Sequence, residues 1–289
     1  MDRSEVLEPG LRRLVAPNPS AMTERGTNTY ILGTEELVVI DPGPDDPLHM
    51  QAILAAATEA PIALILVTHA HLDHSALARP LAERTGAAVA AFGNCHAGRS
   101  HIMQGLQGIG GGEGLDHDFV PDRLVTGGSV VEGHGWRVEV MWTPGHLGNH
   151  LTFLWNEAAF CGDLVMAWST SLVSPPDGDL ARFMSSCREL ARCRPRILYP
   201  GHGAAIDKPQ DRIAEILSHR KRREEQILSE IAAASATPME IACRIYGDLP
   251  AHLRPAAERN VLAHLIDLTT RSLIKPLAPH SPTTHYLSR

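Results

Sequence analysis

The apolar positions follow two different rhythms along the chain. Up to about residue 205 they come in short runs bounded by Gly, Pro, Asn and Asp. Asn28-Thr29-Tyr30-Ile31-Leu32 and Leu37-Val38-Val39-Ile40 are rich in β-branched residues, and Gly33-Thr34-Glu35-Glu36 between them predicts a hairpin turn. Asp41-Pro42-Gly43-Pro44 ends the second strand. An Ala-rich helix is expected from about His49 to Ala57. Pro61-Ile62-Ala63-Leu64-Ile65-Leu66-Val67 is a continuous apolar run of the kind buried on both faces of a parallel sheet. A helix from Ser75 to Thr85, closed by Gly86, comes next. Further strands are predicted from Trp136 to Trp142, His150 to Trp155, Ala158 to Cys161 and Ile197 to Tyr199. A helix fits Leu180 to Ala191.

After about Lys208 the rhythm becomes helical. Asp211 to Ala233 reads as a long, charged amphipathic helix. Thr237-Pro238-Met239-Glu240 has capping-box spacing with Pro at the first helical position, which predicts a helix from Pro238 to Tyr246. Arg254 to Leu273 is a third helix. The tail, Ile274-Lys275-Pro276-Leu277 through His285-Tyr286-Leu287, pairs as a short wing. The chain therefore divides into residues 1–208 and a helical, winged-helix-like module over 209–289. Between about Gly93 and Gly128 the pattern lapses into a Gly- and His-rich stretch containing Gly108-Ile109-Gly110-Gly111-Gly112-Glu113-Gly114. Without G-K-[ST] or a preceding strand it is not a phosphate loop. A flap over a site and plain disorder are the two readings of so long a loop.

Composition narrows the class. With 289 residues, 44% of them hydrophobic, the chain suits one large soluble domain and a small one. No apolar run is long enough for a membrane span. The charged start, Met1-Asp2-Arg3-Ser4-Glu5, shows no signal peptide. Five cysteines without a C-x-x-C pair fit a reducing cytoplasm. A net charge of −7 argues against a protein that coats itself in nucleic acid.

The chemistry gathers at strand ends. His69, His71, Asp73 and His74 occupy six residues directly after the run ending at Val67. Imidazole and carboxylate together suit zinc, and also iron or manganese. Thr143-Pro144-Gly145-His146, Gly162-Asp163 and Gly201-His202-Gly203 each follow a predicted strand and deliver one more potential ligand. Open α/β sheets place their sites at such carboxyl ends. Asp41 is either a turn former or the partner of a ligand imidazole, and His150 either supports a ligand or is a satisfied core histidine.

The order His-x-His-x-Asp-His, then His146, Asp163 and His202, with Asp41 after the strand at 37–40, resembles the metallo-β-lactamase superfamily over roughly residues 10–205. The resemblance implies an αβ/βα sandwich with a dinuclear metal site at one edge. It implies that His69, His71 and His146 hold one metal, that Asp73, His74 and His202 hold the other, and that Asp163 bridges them. Gly26-Thr27-Asn28-Thr29-Tyr30, Ser218-His219-Arg220, Arg223-Glu224-Glu225-Gln226-Ile227-Leu228 and Ile245-Tyr246 are similar to a lactamase-β-like subgroup that includes a mitochondrial single-strand endoribonuclease. That subgroup carries a C-terminal winged-helix-like region. Two departures bear on substrate. Leu147 follows His146 where Thr or Ser is common, and the Gly-rich segment is expanded.

The expectation is a hydrolase with two divalent metal ions, zinc first. Two adjacent cations lower the pKa of a bound water from about 16 to about 7 and so supply hydroxide. Asp73 or a group behind the ligands would shuttle the proton, and Asp73 and Asp163 are the candidate catalytic carboxylates. A small-molecule ester, thioester or lactone is the first substrate class. Single-stranded RNA is the second, resting on Arg220-Lys221-Arg222-Arg223, which Glu224 and Glu225 turn toward a reading as a solvated helix face. A non-enzymatic binding module is the third. Duplex DNA and membranes are not expected partners, and oligomeric state is open.

Overall fold

The structure, a computed structural model, describes residues 4–247 and 250–289. Met1 to Arg3, part of the charged N-terminus, lie outside the described residues. Strands β1 (Glu5–Glu8), β2 (Leu11–Val15), β3 (Asn28–Leu32) and β4 (Leu37–Ile40) form an antiparallel meander. Helix α1 (Pro47–Ala56) then crosses to β5 (Ile62–Leu66), parallel to β4. The Asp46 side chain caps α1 by accepting from His49 N at 2.7 Å, so the helix begins two residues before the expected His49. Helices α2 (Leu72–Ser75) and α3 (Ala78–Thr85) follow, then β6 (Ala88–Ala91), α4 (His101–Gly105) and β7 (Arg123–Leu124). These strands make one seven-stranded sheet in sequence order.

The second sheet holds β8 (Val130–Gly133), β9 (Trp136–Trp142), β10 (Leu151–Trp155), β11 (Ala158–Gly162) and, after helix α5 (Leu180–Arg192), β12 (Ile197–Pro200). Both sheets bury apolar side chains against each other. Tyr30, Ile40 and Leu66 meet Val140, Phe153 and Phe160 in one cluster. Each such side chain contributes about 1.5–3 kcal/mol when fully buried. Tyr30, Phe160 and Tyr199 pack ring on ring at 5.1–5.6 Å, and the Tyr30 hydroxyl donates to Pro200 O at 2.7 Å. That bond ties the first sheet to the end of β12. Helices α1 and α3 cover the outer face of the first sheet. Helix α5 and the start of α6 (Pro209–Ala233) cover the second. The architecture is the expected αβ/βα sandwich.

The C-terminal region adds α7 (Pro238–Tyr246), α8 (Arg254–Thr270), β13 (Ile274–Pro276) and β14 (Tyr286–Ser288). The Thr237–Glu240 capping box forms as expected, and the tail pairs as an antiparallel two-stranded wing. Along α6, Ile213 and Ile216 pack into the sandwich, whereas Ile227 and Ile231 pack with α7 and α8.

Two expectations need correction, and some strands lie outside the expected ones. The helix expected over 75–85 starts at Leu72 and is broken at 76–77, because Leu77 N–H crosses to Gly43 O at 3.0 Å. Asp73 and His74 therefore ride on a helical turn. Strand β6 is Ala-rich, so its pattern carries little strand signal. The run Arg220 to Arg223 is not a simple solvated face. Arg220 is buried, bonded to Ser171 O and Asn260, and the Arg223 guanidinium lies 4.0 Å over the Tyr246 ring.

Candidate functional site

The ends of four strands deliver the candidate ligands to one place. β5 runs out into Thr68 and His69, β9 into His146, β11 into Asp163 and β12 into His202. Close packing at the last two requires glycine. A Cβ on Gly201 would stand 2.5 Å from Asp163 Oδ1 and 2.6 Å from His74 Cε1. All seven candidate residues are brought together. Ligand atoms of His69, His71 and His146 lie within 4.8 Å of one another, as do those of Asp73, His74 and His202, and those of His69, His74 and Asp163.

The hydrogen bonds behind the rings fix which nitrogen carries the proton. His146 Nδ1 faces Leu172 O at 2.8 Å and His202 Nδ1 faces Gly26 O at 3.3 Å. A carbonyl only accepts, so both rings donate from Nδ1. His74 Nδ1 likewise donates to Asp41 Oδ2 at 3.0 Å. Thr68 commits its hydroxyl proton to Asp41 Oδ2 at 2.7 Å, which leaves its oxygen to accept from His69 Nδ1 at 3.0 Å. With Nδ1 carrying the proton, the inward Nε2 of each of these four rings is the atom left to offer a lone pair to a cation. His71 Nδ1 meets Nε2 of His69 at 3.0 Å and Nε2 of His146 at 3.1 Å. Two imidazoles on one tetrahedral zinc stand roughly 3.3 Å apart. Lone pairs converging at this spacing fit a cation between them.

Charge points the same way. Burial holds His71 down to about 3, with His146 adding to the effect. Burial also opposes charge on His74, yet Asp73, Asp163 and Asp41 outweigh it and raise that ring to about 9. Against the same burial, Asp163 and Asp73 raise His202 to about 11. The buried carboxylates call for positive charge beside these rings. Asp163 spans the cluster. Its Oδ1 lies 3.5 Å from His74 Nε2 and 3.4 Å from His202 Nε2, and its Oδ2 lies 3.6 Å from His146 Nε2. Buried Oδ1 accepts no hydrogen bond from the described residues. A carboxylate oxygen left that way fits a metal ligand.

Two of the open alternatives resolve. Asp41 is a turn former, with φ of 51°, and also the partner of His74. His150 donates from Nδ1 to Thr143 Oγ1 at 2.9 Å and accepts Asp163 N–H at 3.2 Å, so it positions the Asp163 backbone. Asn28, which drew attention only through the resemblance, fastens the His202 turn by donating to Pro200 O and Gly203 O, both at 2.9 Å.

The cluster opens into a cleft of about 440 Å³. Met22, Met166, Leu172, Pro255 and Ala256 supply apolar wall, and Glu113, His252 and Arg259 supply the charged and polar rim. Sequence reasoning missed Arg259 and Asp177. Arg259 bonds Ile109 O and Ser174 Oγ, while Asp177 Oδ2 accepts Gly112 N–H at 2.7 Å. The Gly-rich stretch is pinned in this way as a wall of the cleft. No local pattern marks these residues, because their partners lie tens of residues away.

A family model described as the Metallo-beta-lactamase superfamily matches residues 22–202, and one described as the Beta-lactamase associated winged helix domain matches residues 237–277. The chain is 32% identical over 267 residues to the Atrochrysone carboxyl ACP thioesterase of Aspergillus fumigatus, covering 86% of this chain and 76% of that one. It is 32% identical over 272 residues to the Beta-lactamase-like protein 2 homolog of Drosophila melanogaster, covering 89% and 86%. Among solved structures, a Beta-lactamase domain protein from Burkholderia ambifaria superposes with a TM-score of 0.82 at 21% identity, covering 99% of this chain and 93% of that one. A metallo-beta-lactamase family protein from Thermus thermophilus gives 0.78 at 23%, covering 98% and 100%. Strand ends that converge on His and Asp, a matching fold and these relatives agree: the chain belongs to the metallo-β-lactamase superfamily of metal-dependent hydrolases, with the associated winged helix domain at its C-terminal end.

Proposed function

We propose that the protein is a dinuclear metal-dependent thioesterase. The observation that carries this reading is the cleft, where a seven-residue donor cluster opens onto a wall that is mainly apolar. An acyl chain can bury its methylenes against Met22, Met166, Leu172 and Pro255 while its carbonyl meets the cluster. The thioesterase relative at 32% identity supports the thioester as the bond cleaved. His69, His71 and His146 would hold one cation, Asp73, His74 and His202 the other, and Asp163 both. Zinc suits the donors best, with iron or manganese next. A bound pair of cations supplies Lewis acidity and an ionised water at neutral pH.

The chain's own groups do the rest. The outward ring nitrogens, locked by Asp41, Thr68, Leu172 and Gly26, keep the inward lone pairs aimed. Asp73, with a side chain 30% exposed, faces the cleft and can carry a proton between the reacting atoms and solvent. Two charges of the basic run are engaged elsewhere, since Arg220 bonds Ser171 O and Asn260 and Arg223 lies over the Tyr246 ring. Among the described residues of the cleft's lining only Arg259 is a guanidinium, and it is anchored to Ile109 and Ser174. A phosphate-tracking groove for single-stranded RNA thus has little support. We place the domain division at 208/209, with α6 as the connecting helix. The free thiols of Cys95, Cys161, Cys187, Cys193 and Cys243 support a cytoplasmic setting.

The test is turnover of the metal-reconstituted protein on matched thioester, ester, lactone, phosphodiester and single-stranded RNA substrates. Thioesters should give the highest kcat/KM, rising with acyl chain length. Cleavage of RNA or phosphodiesters with no thioester turnover would overturn the reading.

A further inference from the structure

Outside the seven-residue cluster, one sulfur and two ring nitrogens meet at the base of the Gly-rich loop. Cys95, His96 and His117 place their ligand atoms within 4.8 Å of one another. Cys95 Sγ lies 3.7 Å from His117 Nδ1, and the rings of His96 and His117 are 5.6 Å apart. A sulfur and a nitrogen on one tetrahedral zinc stand roughly 3.5 Å apart. Cys95 is buried and both imidazoles are exposed, so the three approach one point from the protein side and leave a fourth position toward solvent.

The surroundings give such a site a purpose. Cys95 and His96 sit in a turn whose Gly93 and Asn94 carbonyls accept from Asn149 Nδ2 at 3.2 and 3.1 Å. Asn149 Oδ1 in turn accepts from Ala70 N at 3.5 Å. On the other side, Asp116 N, next to His117, donates to Ala70 O at 3.0 Å, and Asp116 Oδ2 accepts from Ser75 Oγ at 2.7 Å. Both halves of the trio therefore hang on Ala70, the residue between His69 and His71. The loop between them carries Glu113 and Gly114 into the cleft wall.

We propose that Cys95, His96 and His117 form a separate cation site of the zinc class, which clasps the two ends of the loop and braces the His69–His71 segment from behind. A thiolate with two imidazoles selects zinc over the hard cations that carboxylates favour. Binding releases the thiol proton to solvent and closes a long loop, so it removes chain freedom that the loop otherwise keeps.

Cobalt separates this site from the other cluster, which contains no cysteine, because only a thiolate ligand gives a sulfur-to-cobalt charge-transfer band. The full-length protein, freed of metal and titrated with cobalt, should develop that near-ultraviolet band. Cys95→Ser should lose the band and one cobalt per chain while the cobalt held by the seven-residue cluster stays. His96→Asn changes an exposed side chain and keeps the fold accessible to measurement even if the cysteine variant fails to fold. It should shift the band's titration to higher cobalt. A cobalt-saturated wild type without the band, or a folded Cys95→Ser protein that keeps it, would overturn the proposal. Neither readout depends on which bond the enzyme hydrolyses.

Discussion

Asp41→Asn tests the idea that second-row hydrogen bonds set the ligand lone pairs. Asp41 is acceptor to three buried donors: Thr68 N and Thr68 Oγ1, both at 2.7 Å, and His74 Nδ1 at 3.0 Å. Asparagine keeps the shape and tolerates the positive φ of this position. Its oxygen can still serve Thr68 N, which places the amide nitrogen against Thr68 Oγ1 and His74 Nδ1. The His74 ring then has to move its proton to Nε2, onto the atom meant for a cation. The Thr68 hydroxyl, now an acceptor from the amide, turns its proton toward His69 Nδ1 and drives that ring into the same wrong tautomer. Loss of such a partner costs about 10–100-fold in metal affinity, or about 1.4–2.8 kcal/mol. Asp41→Ala is the harsher comparison. It orphans three buried donors at about 1–3 kcal/mol each, a large part of a typical stability of about 5–15 kcal/mol. The assay is metal per chain after dialysis against graded chelator, with a thermal melt to confirm folding. An Asp41→Asn protein that folds and holds metal at wild-type chelator concentrations would refute the tautomer argument.

Asp163→Ala should remove turnover and at least one cation while leaving the far-ultraviolet circular dichroism unchanged; retained turnover with full metal content would contradict the bridging role. Gly201→Ala puts a methyl 2.5 Å from Asp163 Oδ1, so metal content and kcat should fall together, measured on the same preparation. Chelation should lower the melting temperature by roughly 5–11 °C for each site whose cation stood at about 100 times its Kd, and zinc should restore it. Arg259→Ala frees Ile109 O and Ser174 Oγ and loosens the Gly-rich wall, so KM should rise more than kcat falls in steady-state assays.

Much of the fold was legible because it is written in local patterns. The apolar run at 61–67 became β5, and Thr237-Pro238-Met239-Glu240 became the capped start of α7. Where local pattern was weak, the reading failed. The Ala-rich β6 left no strand signal, and the break at 76–77 depends on Gly43 O, which lies far back in the chain. Burial of Arg220 was invisible for the same reason. Its partners Ser171 and Asn260 stand on other elements, and a run of four basic residues reads as solvent-facing until packing says otherwise.

The sequence by itself determined which residues could be ligands and that each sits just past a strand, because strand period and turn chemistry are short-range properties. Tertiary structure decided the rest. It brought His71 to 3.1 Å from His146 and His74 to 3.3 Å from His202, across separations set by two sheets packing face to face. It fixed ring tautomers through carbonyls of Gly26 and Leu172 that lie far along the chain from His202 and His146, and it built the cleft wall from α8 and the Gly-rich stretch. Those distances come from the packing of the whole core, which no window of neighbouring residues contains.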